Sequence, residues 1–260
     1  MGKLFAVFDA DWVAYEAACL AEKRSIVVTH KNTGESWEFK TRTEFWGTKR
    51  SKDGAFLKQL NENRDSIYTW DEFEITDIQT PSAGGMGHAV NVVKARYESI
   101  LGKLGLTYKD HFGFVGKGDS WRVEASTLIK YKDNRNNLIR PLLLTDIKDF
   151  LVEKMNCEYS DQESKWESDD HTVAECFRNP NRVLVHIEKD QQGSPVIGFN
   201  PDRMDEPLNY DCFGKLWIDD KNKVRGYGRK WYYFQVLSGD SSDNYFANCM
   251  SDKKWAACPS

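Results

Sequence analysis

Leu4-Phe5-Ala6-Val7-Phe8-Asp9-Ala10-Asp11-Trp12 begins as a short apolar run and then turns acidic. From Trp12 to Leu20 the apolar positions recur at helical spacing, so the segment reads as strand, turn and helix, with Asp9 at the carboxyl end of the strand. Val183–Ile187 is a second, near-continuous apolar run, the mark of a strand buried on both faces, and it leads into Glu188-Lys189-Asp190. A third short strand, Phe112–Val115, runs into Gly116-Lys117-Gly118-Asp119. Helical patterns lie between these strands: Ala89–Leu104, Leu142–Met155 behind Pro141, and Glu167–Arg178, which stops at Asn179-Pro180. Alternating strands and helices predict an α/β fold with a mostly parallel central sheet flanked by helices. Open sheets of that kind bind ligands beyond the carboxyl ends of their strands, where Asp9, Glu188 and Asp190 fall.

Two stretches depart from the alternation. Ser25–Thr29 and Ser36–Phe39 flank Lys31-Asn32-Thr33-Gly34, a hairpin signal, and residues 22–80 read as a β-rich insertion. Residues 193–230 are loop-rich, with Pro195, Pro201 and Pro207, and read as a second insertion. Trp231–Leu237, aromatic and apolar, suits either a helix or a strand. The whole chain of 260 residues reads as one domain carrying these two insertions.

With 40% apolar and 29% charged residues, the composition is that of an ordinary globular chain, and no apolar run approaches the roughly 20 residues a bilayer span needs. The six cysteines show no regular spacing, which favours a reduced, cytoplasmic setting with thiols as small core residues. The net charge of −4 argues against a nucleic-acid binder, but charge is unevenly placed. Between Lys130 and Arg140 stand four cations, Lys130, Lys132, Arg135 and Arg140, against Asp133 alone.

The carboxylates carry the chemistry. Besides Asp9, Glu188 and Asp190 they are Glu167, Asp169 and Asp170 in Trp-Glu-Ser-Asp-Asp-His, and Asp240 and Asp243 in Gly-Asp-Ser-Ser-Asp-Asn. Each group alone has a plain structural explanation: acids favour a helix start, and Gly, Asp, Ser and Asn form turns. Gathered in one pocket they would repel, and hard divalent cations with oxygen ligands, Mg²⁺ or Mn²⁺, would neutralise them. Two such ions in a carboxylate pocket are a standard device for breaking phosphodiester bonds. Lys130-Tyr131-Lys132-x-x-Arg135 adds cations that grip phosphates and a ring that stacks on a base.

The ordered set Asp9 … Ser120-Trp121-Arg122 … Tyr131-Lys132-x-x-Arg135 … Glu167-Ser168-Asp169-Asp170 … Glu188-Lys189-Asp190 … Gly239-Asp240-x-x-Asp243 resembles the flap endonuclease and 5′–3′ exonuclease family, especially its bacteriophage members. The resemblance covers roughly 1–20, 110–190 and 231–245. It implies a PIN-like 5′-nuclease fold and two-metal hydrolysis of DNA carrying 5′ ends or flaps, by a monomer acting in DNA replication, with RNA open as a second substrate. It implies metal-binding roles for Asp9, Glu167, Asp169, Asp170, Glu188, Asp190, Asp240 and Asp243. It places Tyr131, Lys132 and Arg135 at the gateway near the scissile phosphate, with Lys132 and Arg135 catalytic, and Arg122 in the aromatic–arginine pair. Lys130 and Arg140 extend the nucleic-acid contact.

Three departures accompany the resemblance. The family's aspartate near the end of the second strand is Val115 here, and Asp119 is the nearby substitute. Glu188 replaces an aspartate and lengthens that ligand by one methylene. The helix–turn–helix elements that normally follow are expected to be truncated or missing. Two other classes stay open. Phe-Asp9-Ala-Asp11-Trp also resembles the motif of haloacid-dehalogenase-type phosphohydrolases, with Asp9 as nucleophile and Asp11 as acid/base. A non-catalytic DNA-structure-binding protein on the nuclease fold is the other.

Overall fold

The computed structural model describes residues 4–47, 55–62, 68–118, 120–126, 130–132, 138–160 and 163–239. Its centre is a six-stranded sheet. Strand β1 (Phe5–Asp9) lies between β5 (His111–Val115) and β7 (Arg182–Val185); β6 (Cys157–Tyr159) extends the sheet beyond β5. On the other side β8 (Ile197–Phe199) and β9 (Leu208–Asn209) follow β7, and only β9 runs antiparallel. The fold is therefore α/β with a mostly parallel central sheet, as expected.

The two faces follow from side-chain alternation along β1. Ala6 and Phe8 pack into the larger core beneath α1 (Asp11–Leu20), α4 (Gly85–Lys103) and α6 (Leu144–Lys154), with Phe8 stacked on Tyr97 at 4.3 Å. Val7 points the other way, joining Leu184, Cys176, Val196 and Tyr210 in the smaller core under α7 (Ser168–Arg178). Asp9 has the parity of Val7, and its carboxylate meets the start of α7. The chain winds outward from β1 through β5 to β6, then returns to lay β7 on the opposite side of β1. The strand order thus reverses between β1 and β7, where sheets of this kind open a ligand crevice.

The insertion at 22–80 is a separate three-stranded antiparallel sheet, β3 (Ser36–Phe39), β2 (Glu22–His30) and β4 (Phe73–Pro81). The predicted hairpin pairs Ile26 with Phe39 and Thr29 with Ser36. Two short helices, α2 (Arg42–Trp46) and α3 (Ala55–Glu62), cover one face and close an aromatic core of Phe39, Phe45, Phe56 and Phe73. Several boundaries differ from the sequence reading. Helix α6 begins two residues later than Leu142, and β7 ends at Val185. Glu188 consequently lies in a loop, and Asp190 opens a short 3₁₀ turn, Asp190–Gly193. The 193–230 stretch is not wholly an excursion, because β8 and β9 belong to the central sheet; the rest holds a two-stranded ribbon, β10 (Lys215–Ile218) and β11 (Val224–Tyr227). Trp231–Leu237 resolves as part of a helix, α8 (Gly228–Ser238). Cys19, Cys157, Cys176 and Cys212 are free thiols. Among the described residues no helix is long and apolar enough to cross a membrane.

Candidate functional site

Asp9 sits at the carboxyl end of the central strand with only 4% of its surface exposed. Both carboxylate oxygens accept from neutral donors: the Ser168 hydroxyl at 2.9 Å and the Gln191 amide at 3.0 Å. Burial raises its pKa well above the usual carboxylate range, and Asp11, Asp169 and Glu188 raise it further, against the Ser168 hydrogen bond. Asp169 is likewise pushed up to about 7 by burial and by Asp170, with Arg122 opposing and Glu167 and Glu188 adding repulsion. Asp9, Asp169 and Glu188 therefore form a zone of mutually repelling carboxylates at the sheet's switch point, with Arg122 reaching Asp169 at 3.8 Å.

Glu167 and Asp170 face a wall of cations. Glu167 is the N-cap of α7, and the Asp170 carboxylate accepts from the Glu167 backbone N–H, a reciprocal cap that makes the acidic run structurally useful as well. Arg122, on α5 (Trp121–Ala125), donates to Glu167 at 2.7 Å and to both oxygens of Asp170 at 2.6 and 2.9 Å. Although burial opposes it, Asp169, Asp170 and Glu167 raise the Arg122 pKa, so the guanidinium stays charged. Tyr131 donates its hydroxyl to Glu167 at 2.9 Å, and the Lys132 ammonium reaches Glu167 at 3.1 Å. The backbone of Lys132 adopts a left-handed φ of 54°, a conformation costing on the order of 1 kcal/mol for a residue with a Cβ.

A supporting layer escaped the sequence reading. Ser168 bridges Asp9 and Asp11, its Oγ lying 2.8 Å from Asp11. Asp11 also accepts from the Gly116 N–H at 3.0 Å and pairs with Lys148 at 2.6 Å. A Cβ at position 116 would stand 2.6 Å from the Asp11 carboxylate, so a larger residue there would displace that side chain from its contacts. His186 is fully buried between the Tyr210 hydroxyl at 3.1 Å and the Glu188 carbonyl at 2.8 Å, which anchors the loop carrying Glu188; burial lowers its pKa to about 4. The signals for these residues were weak. Ser168 occupies a position where the resembling family has alanine, His186 is one polar residue in an apolar run, and Lys148 looks like any helix cation.

The other anticipated residues divide. Asp190 is held by Gln235 of α8. Lys130 is exposed on the approach to Tyr131. Arg140 is exposed, and its carbonyl accepts from Gln79 of β4, which ties it to the inserted sheet. Asp119, Arg135, Asp240 and Asp243 lie outside the described residues. Among the described residues no three His, Cys, Asp or Glu side chains already close around one metal position. The donor chemistry nevertheless fits a hard divalent ion: Asp9, Asp169 and Glu188 are oxygen donors, and the buried Gln191 Oε1 beside Asp9 has no hydrogen-bond partner among the described residues. Comparison with protein-family models, with curated proteins and with solved structures found no match for this chain.

Proposed function

We propose that this chain is a divalent-metal-dependent 5′-nuclease on a PIN-like fold, hydrolysing DNA phosphodiesters at the switch point between β1 and β7. One observation carries the reading. Asp9, buried at the end of the central strand, faces Asp169 and Glu188 and has no cation of its own among the described residues, while Arg122, Tyr131 and Lys132 stand beside them on Glu167 and Asp170. A zone of repelling carboxylates next to a cationic wall suits metal ions on one side and a phosphate on the other.

Asp9, Asp169 and Glu188 would hold Mg²⁺ or Mn²⁺, with Glu167, Asp170 and Asp190 at the margin. Bound there, such ions supply an activated water and charge neutralisation at the leaving oxygen. The chain's own groups do the rest. Ser168 and Gln191 fix both oxygens of Asp9, and Lys148 holds Asp11 and, through the Gly116 carbonyl at 2.8 Å, the turn after β5. When a phosphate enters, Lys132 and Arg122 exchange part of their contact with Glu167 for the phosphate oxygens, and Tyr131 offers its ring to a base. The phosphohydrolase alternative needs Asp11 available as acid/base. Its contacts with Gly116, Ser168 and Lys148 favour an anchoring role instead.

The test is direct. Purified protein is incubated with end-labelled single-stranded DNA and with a 5′-flapped duplex, in Mg²⁺, in Mn²⁺ and in excess EDTA. Cleavage in either metal and none in EDTA is expected. Absence of cleavage on every substrate refutes the activity, and a beryllofluoride adduct on the Asp9 carboxylate would move the chain to the phosphohydrolase class.

A further inference from the structure

Resting on the nuclease reading above, we infer that the β10–β11 ribbon is a docking surface for the single-stranded portion of the DNA substrate. The observation is the pattern on one of its faces. Lys215 pairs across the ribbon with Tyr227, and Trp217 pairs with Arg225. Residues of one parity share a face of a strand, so these four form a checkerboard in which each cation stands beside and opposite an aromatic ring.

The rings and charges are tied together. The Lys215 ammonium lies 5.7 Å from the Trp217 ring centre, and Trp217 meets Tyr227 edge-on at 6.4 Å. Arg225 is braced by Asp219, to which its Nε donates at 2.7 Å. At the ribbon's base, Phe213 is 68% exposed with the Lys230 ammonium 4.7 Å from its centre. Trp217 is 44% exposed, which leaves its indole open to stacking.

Charge selects the occupant. Residues 213–230 carry six cations (Lys215, Lys221, Lys223, Arg225, Arg229, Lys230) against Asp219 and Asp220, inside a chain whose net charge is −4. An apolar protein partner needs no such excess, whereas a single strand offers bases for the rings and phosphates for the cations. A duplex hides its bases and would use only the charges. The ribbon is also well anchored. A Cβ at Gly214 would stand 1.9 Å from the Tyr227 carbonyl, and a Cβ at Gly226 2.9 Å from the Trp231 ring. Trp231 of α8 in turn donates its indole N–H to the Lys189 carbonyl at 2.7 Å, in the segment between Glu188 and Asp190. A strand lying on the ribbon is thereby placed on an element that holds the carboxylate loop.

The experiment uses the full chain in EDTA, so that binding is read without cleavage. Fluorescence anisotropy measures affinity for a labelled oligothymidylate and for a blunt duplex with the wild type, Trp217→Ala, Trp217→Phe and Lys215→Gln; thermal melting checks the fold of each. Trp217→Ala is expected to weaken oligothymidylate binding by about fivefold or more, with duplex affinity nearly unchanged, and Trp217→Phe to recover most of the loss. Lys215→Gln should weaken both substrates and reduce the salt slope. Equal oligothymidylate affinity in the wild type and Trp217→Ala overturns the inference. So does a concentration-dependent dimer that Trp217→Ala dissolves without altering DNA affinity, which would make the face a contact between copies. Metal-dependent cleavage separates the two readings. A wild type that cleaves while Trp217→Ala binds normally removes only the ribbon. A wild type that binds through Trp217 but never cleaves removes only the nuclease.

Discussion

Replacing Asp169 by asparagine is expected to stabilise the metal-free protein while destroying the proposed nuclease activity. Burial and the neighbouring Asp170 hold the Asp169 pKa at about 7, against 3.8 for the free side chain. Between those values the folded protein binds a proton that the unfolded chain has released, so stability falls as pH rises through that window. Roughly three pH units at about 1.4 kcal/mol each give a ceiling of about 4 kcal/mol. With 29% of the side chain facing solvent, screening brings the expected gain to about 2 kcal/mol at neutral pH. Asparagine keeps the Oδ1 that accepts from the Asp170 N–H at 2.8 Å, and Arg122 keeps Glu167 and Asp170 as partners. In a chain of this size the gain corresponds to a Tm rise of roughly 4–8 °C. Thermal unfolding in EDTA at pH 7.5 and pH 4.5 measures it; the gap between variant and wild type should be wide at the higher pH and shrink to about a quarter of that at the lower. Added Mn²⁺ should then raise the wild-type Tm more than that of the variant, because only the wild type keeps the full ligand set. A variant that melts several degrees below the wild type in EDTA at pH 7.5, or a gap independent of pH, refutes the argument that Asp169 is a repelled carboxylate.

Further outcomes follow from the same contacts. Arg122→Ala leaves Glu167 and Asp170 without their bidentate partner and should cost about 2 kcal/mol in urea unfolding, with Arg122→Lys intermediate, because an ammonium cannot span both oxygens of Asp170. His186, neutral in the fold with a pKa near 4, must stay uncharged while the unfolded chain protonates near 6.5. Stability should therefore drop by roughly 3 kcal/mol as pH falls from 6.5 to 4, a slope that His186→Gln flattens in denaturation profiles. Lys132→Ala should lower kcat far more than it raises KM if its ammonium meets charge developing on the phosphate; an unchanged kcat with a raised KM would reduce it to a backbone grip.

The architecture was more legible in the residues than the site was. Two apolar runs, Leu4–Phe8 and Val183–Ile187, could only be satisfied by burial on both faces, and they became the adjacent strands β1 and β7. The hairpin around Lys31–Gly34 was readable because its turn chemistry is local. β8 was hidden because Ile197–Phe199 is three residues long between prolines, and its pairing with β7 is decided by distant sequence. At the site, acids at strand and helix ends stood out because each lay at an element boundary. Their supports did not: Ser168, Gln191 and Lys148 act on Asp9 and Asp11 across more than a hundred residues of chain, and nothing local marks them. Arg140 adds a contact that its sequence neighbours do not announce: its backbone carbonyl accepts from Gln79 of the inserted sheet, while its side chain stays exposed.

The central claim is that Asp9, buried at the end of β1, organises a metal-dependent phosphodiester hydrolysis. Single-turnover cleavage of an end-labelled 5′-flapped DNA in Mn²⁺, comparing the wild type with Asp9→Asn at matched folded fractions, tests it most directly. The wild type should cleave, stop on addition of EDTA and resume when Mn²⁺ is restored, while Asp9→Asn loses activity by about a thousandfold, as expected when a principal metal ligand becomes a neutral amide. Cleavage by Asp9→Asn at the wild-type rate, or wild-type cleavage that persists in EDTA, would contradict the account.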